Sequence, residues 1–245
     1  MKKQSIIAAA MLLSTAQMAL AEDKLRIATE GAYPPFNNVT ADGGLVGFDV
    51  EIAQALCDKI KRDCEIVAQD WDGIIPGLVN NKYDAIVASM SITTERLQAI
   101  DFTDPYYKNY LSVVAKDGAE VSMDNLGRQT IGAQRSTIGS QWAEDNYGRR
   151  GDINLYDTIP AAFADLQAGR IDVVVTDFLP AADWIEDNAG YGLAIEKIDI
   201  GDKIGIGLRK KEDSLKGKLN AALKEIRADG TYQKISEKFF GTDIY

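Results

Sequence analysis

The sequence predicts an α/β protein built from two similar units, and three observations carry that prediction. Apolar strand-like runs and amphipathic helical stretches alternate from residue 24 to residue 88. The same alternation starts again at residue 130. Between them lies an apolar strand, residues 110–115, that crosses out of the first unit. A chain of 245 residues holds either two lobes or one large domain, with ample core in both cases.

Residues 1–21 read as a secretory leader. Lys2 and Lys3 make a basic start, residues 6–13 are apolar, and Ala19-Leu20-Ala21 supplies small residues for cleavage before Glu22. The apolar run is too short for a membrane anchor, which takes about 20 apolar residues. No Cys follows the cleavage site to take a lipid, so an exported, soluble chain is expected. The chain has 27 basic and 37 acidic residues. Loss of the two leader lysines takes the net charge of −10 to about −12, an acidic balance that argues against nucleic acid and anionic membranes.

Cys57 and Cys64 form an even pair in an exported chain, which suggests a disulfide worth about 2–3 kcal/mol. Free or metal-binding thiols are the alternative, although two thiolates alone make an incomplete zinc site. The chain contains no His. Ser-His and Cys-His catalysis are therefore excluded, together with the commonest general base at neutral pH.

Taken in order, residues 24–29 read as the first strand. It stops at Glu30-Gly31-Ala32-Tyr33-Pro34-Pro35-Phe36, an extended loop because of its two prolines. Ligands bind at that end of α/β sheets, which makes Glu30 and Tyr33 pocket candidates. A solvated loop carboxylate and a ring packed on Pro34 are the plainer readings. Asp42-Gly43-Gly44 marks a turn, and Asp49 is placed to cap a helix running to about residue 61. Residues 64–68 form the next strand. Trp71 follows it in a loop, either at the pocket edge or in simple core packing.

Residues 85–88 are a buried strand ending in the polar corner Ser89-Met90-Ser91-Ile92-Thr93-Thr94-Glu95-Arg96. A helix starts near Thr93 or Thr94, whose hydroxyl can cap it. The corner thus gathers hydroxyls, free amides and one guanidinium, the chemistry that grips a carboxylate. A capped helix with a surface Arg is the alternative. The second unit repeats this logic: a strand at residues 130–133, then Gln134-Arg135-Ser136-Thr137, then a helix carrying Trp142. That turn is either a second carboxylate site or an ordinary N-cap. Residues 170–176 form a β-branched strand ending in Asp177, which either holds an ammonium group or caps the following helix. Residues 205–208 return to the first unit, and helices follow over residues 214–227 and 235–239.

In combination, these motifs resemble the periplasmic polar amino-acid-binding proteins of ABC importers. The resemblance rests on residues 29–36, Val46-Gly47-Phe48-Asp49, Trp71-Asp72-Gly73-Ile74-Ile75-Pro76, Ser89-Met90-Ser91-Ile92-Thr93 with Arg96, Asp101-Phe102-Thr103 and Ala228-Asp229-Gly230-Thr231-Tyr232. Within that family the chain is most similar to binders of arginine, ornithine, lysine, histidine and opines. The resemblance implies the type II periplasmic binding protein fold, two α/β lobes hinged on two crossing strands. Lobe I would comprise residues 22–109 and 204–245, and lobe II residues 110–203.

By position, Arg96 would clamp the ligand α-carboxylate, helped by backbone at Ser89, Ser91 and Thr137. Asp177 would hold the α-ammonium, Tyr33 and Trp71 would sandwich the stem, and Glu30 would face the distal cation. Ala88, Met90, Arg135 and Ser136 fall within the same motifs. The chain departs from the family pattern at Ala88, often Ser, at Arg135, often Gly, and at Glu30, Asp in some close relatives. Arg135 would either lie outside the cleft or reach in and select an anion. The implied partners are a basic amino acid and an ABC permease, for a monomeric periplasmic protein without metal or cofactor. Cyclohexadienyl dehydratases and receptor modules share the fold, but static recognition of a basic amino acid accounts for Glu30, Arg96 and Asp177 without catalysis.

Overall fold

The computed structural model describes residues 24–149 and 151–245; the leader and its cleavage site lie outside the described residues. The first half opens with β1 (Leu25–Thr29), then a short meander of β2 (Ala32–Tyr33), β3 (Asn37–Val39) and β4 (Leu45–Val46). It continues through α1 (Phe48–Ile60), β5 (Cys64–Ala68), α2 (Trp71–Val79), β6 (Ala85–Ile86), α3 (Arg96–Ala99), β7 (Asp101–Phe102) and β8 (Tyr107–Lys108). The second half comprises β9 (Leu111–Lys116), β10 (Ile131–Gln134), α4 (Ile138–Tyr147), β11 (Ile153–Tyr156), α5 (Ile159–Gln167), β12 (Val173–Asp177), α6 (Phe178–Asp187) and β13 (Tyr191–Ile198). The chain then returns through β14 (Lys203–Ile204) and β15 (Gly207–Leu208) to α7 (Asp213–Ala228) and α8 (Thr231–Phe240).

Two five-stranded sheets result, each the core of one lobe. Their orders are β5-β1-β6-β15-β7 and β11-β10-β12-β9-β13. In each sheet three parallel strands come first, with the earliest in the middle, and antiparallel strands complete the edge. Helices cover both faces, so strand residues such as Ile27, Ala28, Val113 and Val174 are fully buried. The chain passes between lobes twice. Asn109 donates its backbone N–H to the Asp202 carbonyl at 3.1 Å, and β8 pairs antiparallel with β14 beside this crossing.

The strand expected at residues 110–115 is β9, and it lies wholly in the second sheet. The crossing itself is the short segment before it. Asp49 does not cap α1. Gly47 occupies the N-cap with φ 130°, and a Cβ there would meet the Phe36 carbonyl at 2.2 Å. Asp49 instead sits fully buried in the first turn.

The Cys57–Cys64 disulfide is formed and ties the end of α1 to the start of β5. This is the end of the sheet remote from the loops that follow β1, β5 and β6. Replacing both cysteines by Ser should lower the unfolding free energy by about 2–3 kcal/mol in denaturant titration while leaving ligand affinity unchanged. A change in affinity would mean that the staple also shapes the cleft.

Candidate functional site

The loops leaving β1, β5, β6 and β10, together with the end of β12, converge on a cavity between the lobes. Glu30, Tyr33, Trp71, Ala88, Ser89, Ser91 and Arg96 line it from the first lobe. Gln134, Thr137, Ile138, Gly139, Val175, Thr176 and Asp177 line it from the second. Parallel strands deliver their loops to one edge, which is why residues far apart in sequence meet here.

The polar corner after β6 is built on Asp49. Its carboxylate accepts from Asn37 at 3.0 Å, Ser89 Oγ at 2.9 Å and Tyr106 OH at 2.7 Å. These bonds hold Ser89 in the left-handed region at φ 49°. Burial pushes the Asp49 carboxyl up to about 6, against the pull of those three donors. The Thr93 hydroxyl accepts from the Arg96 N–H at 3.1 Å, although α3 begins only at Arg96, with Glu95 at its N-cap, rather than at Thr93 or Thr94.

The Arg96 guanidinium is partly satisfied by carbonyls, Ser91 O at 3.0 Å and Ser136 O at 2.9 Å. It stacks over Trp71 at 5.2 Å. Two of its five N–H donors are thereby used, which leaves donors for a carboxylate. Desolvation lowers its pKa, so the site favours an anion beside it.

Asp177 stands at the N-terminus of α6 but makes no capping bond. Its carboxylate accepts from Tyr33 OH at 2.5 Å and from Asn109 Nδ2 at 2.7 Å. Burial, and then the nearby Asp202, push it up to about 6. Asn109 also donates to Asp202 Oδ2 at 2.8 Å, and Ser91 Oγ donates to the same oxygen at 2.9 Å. One hydrogen-bonded chain therefore joins the site to the crossing segments.

Glu30 is 7% exposed. Gln134 Nε2 donates to its Oε1 at 2.6 Å, and no cation pairs with it among the described residues. Burial pushes its carboxyl up to about 7; Asp70 and Asp72 push the same way, and the Gln134 bond opposes them.

Hydrogen bonds among the described residues cross the cleft away from the crossing segments: Tyr33 to Asp177, Gln134 to Glu30, and Trp71 Nε1 and Arg96 to the Ser136 carbonyl, the Trp71 bond at 3.1 Å. The lobes are closed upon one another. Thr137 is the N-cap of α4, forming a capping box with Ser140, and it also lines the cavity. Three residues of the sequence motifs lie elsewhere. Met90 points into the core with Ile86 and Ile100. Ser136 contributes its carbonyl from outside the cavity wall. Arg135 sits on the outer surface, 3.1 Å from Asp157 and 4.0 Å from Asp72. The sequence reading places Gln134 in the turn after β10 but gives its side chain no part in the site, and it overlooked Asn109, Asp202 and Thr176.

Two α/β lobes closed over a polar cavity with charges of both signs are the architecture of a solute-binding protein. Residues 25–242 match bacterial extracellular solute-binding proteins, family 3, and the chain belongs to that family. It is 37% identical over 244 residues to the ABC transporter arginine-binding protein 1 of Escherichia coli (strain K12), covering 98% of this chain and 99% of that protein. It is 38% identical over 256 residues to the L-arginine-binding protein of Pseudomonas aeruginosa, covering 100% and 99%. An ancestral arginine-binding protein bound to arginine superposes with a TM-score of 0.85 at 36% identity, over 90% of this chain and 100% of that one. Among the described residues no helix is long and apolar enough to cross a membrane.

A carboxyl whose pKa rises on folding stabilises the folded state below its unfolded pKa and costs stability as the pH climbs through the folded value. For Glu30 that window runs from 4.5 to about 7. Glu30→Gln should therefore stabilise the ligand-free protein by about 2–3 kcal/mol at pH 8 and leave it unchanged at pH 4, read by denaturant unfolding at both pH values. An equal effect at both would show that the gain comes from packing rather than charge.

Proposed function

We propose that this protein captures a basic L-amino acid, arginine foremost, by closing its lobes around it and then delivers it to an ABC permease. It would act in the periplasm as a monomeric binding protein rather than an enzyme. The charge balance of the cavity carries the reading. Arg96 and Asp177 match the α-carboxylate and α-ammonium that every amino acid presents, and Glu30 is left over as one further buried carboxylate. A ligand with a distal cation supplies its missing partner.

The ligand would lie with its carboxylate on the free donors of Arg96, assisted by the Ser89, Ser91 and Thr137 backbone. Its ammonium would take the acceptor sites of Asp177 that Tyr33 and Asn109 leave open. The stem would run between Tyr33 and Trp71, whose rings bury aliphatic carbon and attract a cation. Contacts from both lobes favour the closed form by their differential affinity, and the permease would read that form. Ala88 widens the wall where many basic-amino-acid binders carry Ser. Arg135, outside the cavity, would not select an anion. The arginine-binding relatives support the choice of ligand.

Calorimetric titration of the refolded protein tests this directly. Arginine should bind tightly, with glutamine weaker by at least about tenfold. Arg96→Ala should cost every ligand at least about 100-fold, because both α-carboxylate bonds are charge-assisted. Glu30→Gln should penalise arginine alone. Equal binding of arginine and glutamine by the unmodified protein would overturn the assignment of Glu30.

A further inference from the structure

The cleft does not end at Glu30. A side cavity of about 430 Å³ shares Glu30 and Trp71 with the first cavity. It continues between Asp70 and Asp72 of the first lobe and Asp157 and Thr158 of the second. Among the described residues no Lys or Arg lines it. Arg135 pairs with Asp72 and Asp157 from outside, whereas Glu30 and Asp70 have no ion pair among the described residues. The buried Glu30 carboxylate is thus a partition between two spaces rather than the floor of one.

We propose that this side cavity is an extension subsite for basic L-amino acids whose distal cation is N-alkylated. The inference rests on the reading above, because the anchors fix the ligand's direction. With the α-groups held at Arg96 and Asp177, the stem points to Glu30, and anything attached to the distal nitrogen emerges beyond it. In a sealed site the added carbons would meet packed atoms and be rejected. Here they enter open space walled by the Trp71 ring and by carboxylates. Alkylation keeps the positive charge on a guanidinium and removes one N–H donor. Glu30 already has Gln134 on one oxygen and needs a charge rather than a full bidentate partner. The exposed carboxylate of Asp70, which has no ion pair among the described residues, keeps the passage favourable to a cation.

The test is calorimetric titration with L-arginine and Nω-propyl-L-arginine, on the unmodified protein and on Thr158→Trp. Thr158 lines only the side cavity and makes no side-chain capping bond to α5, so a large ring there fills the space without touching the anchors. The propyl derivative should bind the unmodified protein within about tenfold of arginine. Thr158→Trp should weaken the propyl derivative by at least about tenfold while arginine stays within about twofold. A propyl derivative more than about tenfold weaker than arginine on the unmodified protein would overturn the subsite and leave the arginine reading intact. Equal losses for both ligands in Thr158→Trp would also overturn it. Silence towards arginine itself would remove the reading on which the inference rests.

Discussion

A carboxylate taken out of water has to find a positive charge or a proton, and Glu30 sets that condition for the whole cleft. Its neighbours give it neutral and negative company: Gln134 across the cleft, then Asp70 and Asp72 beyond. Arg96, the cation of the cavity, is turned towards Ser91, Ser136 and the Trp71 face. The carboxyl responds by holding its proton to about 7. The site is therefore one positive charge short near neutral pH, and a basic side chain makes up the difference. Specificity on this account comes from charge bookkeeping within a closed cavity, and the walls need only supply shape.

The architecture serves that condition. Parallel strands bring the Glu30, Trp71 and Ser89 loops to one edge of the first sheet and Gln134 and Asp177 to the facing edge of the second. Asp49 fixes the polar corner after β6 from beneath by holding Ser89 and Tyr106. Asn109 and Asp202 stand where the chain crosses between lobes, and Asn109 bonds directly to Asp177. Asp177 is thus wired to the segments where the chain crosses between lobes. The cleft and the crossings share one set of hydrogen bonds.

Much of this was legible in the sequence. The alternation of strands and helices and the hydroxyl-rich corner before Arg96 follow from local chemistry and lie where expected, whereas residues 32–33 of the proline-containing stretch pair as β2 and Trp71, expected in a loop, opens α2. What was missed has physical reasons. Strand β13 is only partly buried along its length, so Tyr191–Ile198 lacks the apolar run that announced β12. Asp49 looked like a helix cap because its position in sequence fits one; its role as a buried acceptor depends on Tyr106, 57 positions away. Asn109 and Asp202 carry no motif, and the pairing of Gln134 with Glu30 arises only when two sheets face each other. Arg135 reads in sequence as a neighbour of the site, yet the left-handed turn at Ser136 directs it outward to Asp72 and Asp157.

The most direct test of the account is the proton balance of binding. Calorimetry at pH 7 in two buffers of different ionisation enthalpy counts the protons released when ligand enters. A distal cation at Glu30 should drive off the proton that burial retains, so arginine should release about half a proton more than glutamine, and Glu30→Gln should erase the difference. Equal proton release for arginine and glutamine would show that the cation does not meet Glu30, and the charge argument for a basic ligand would fall.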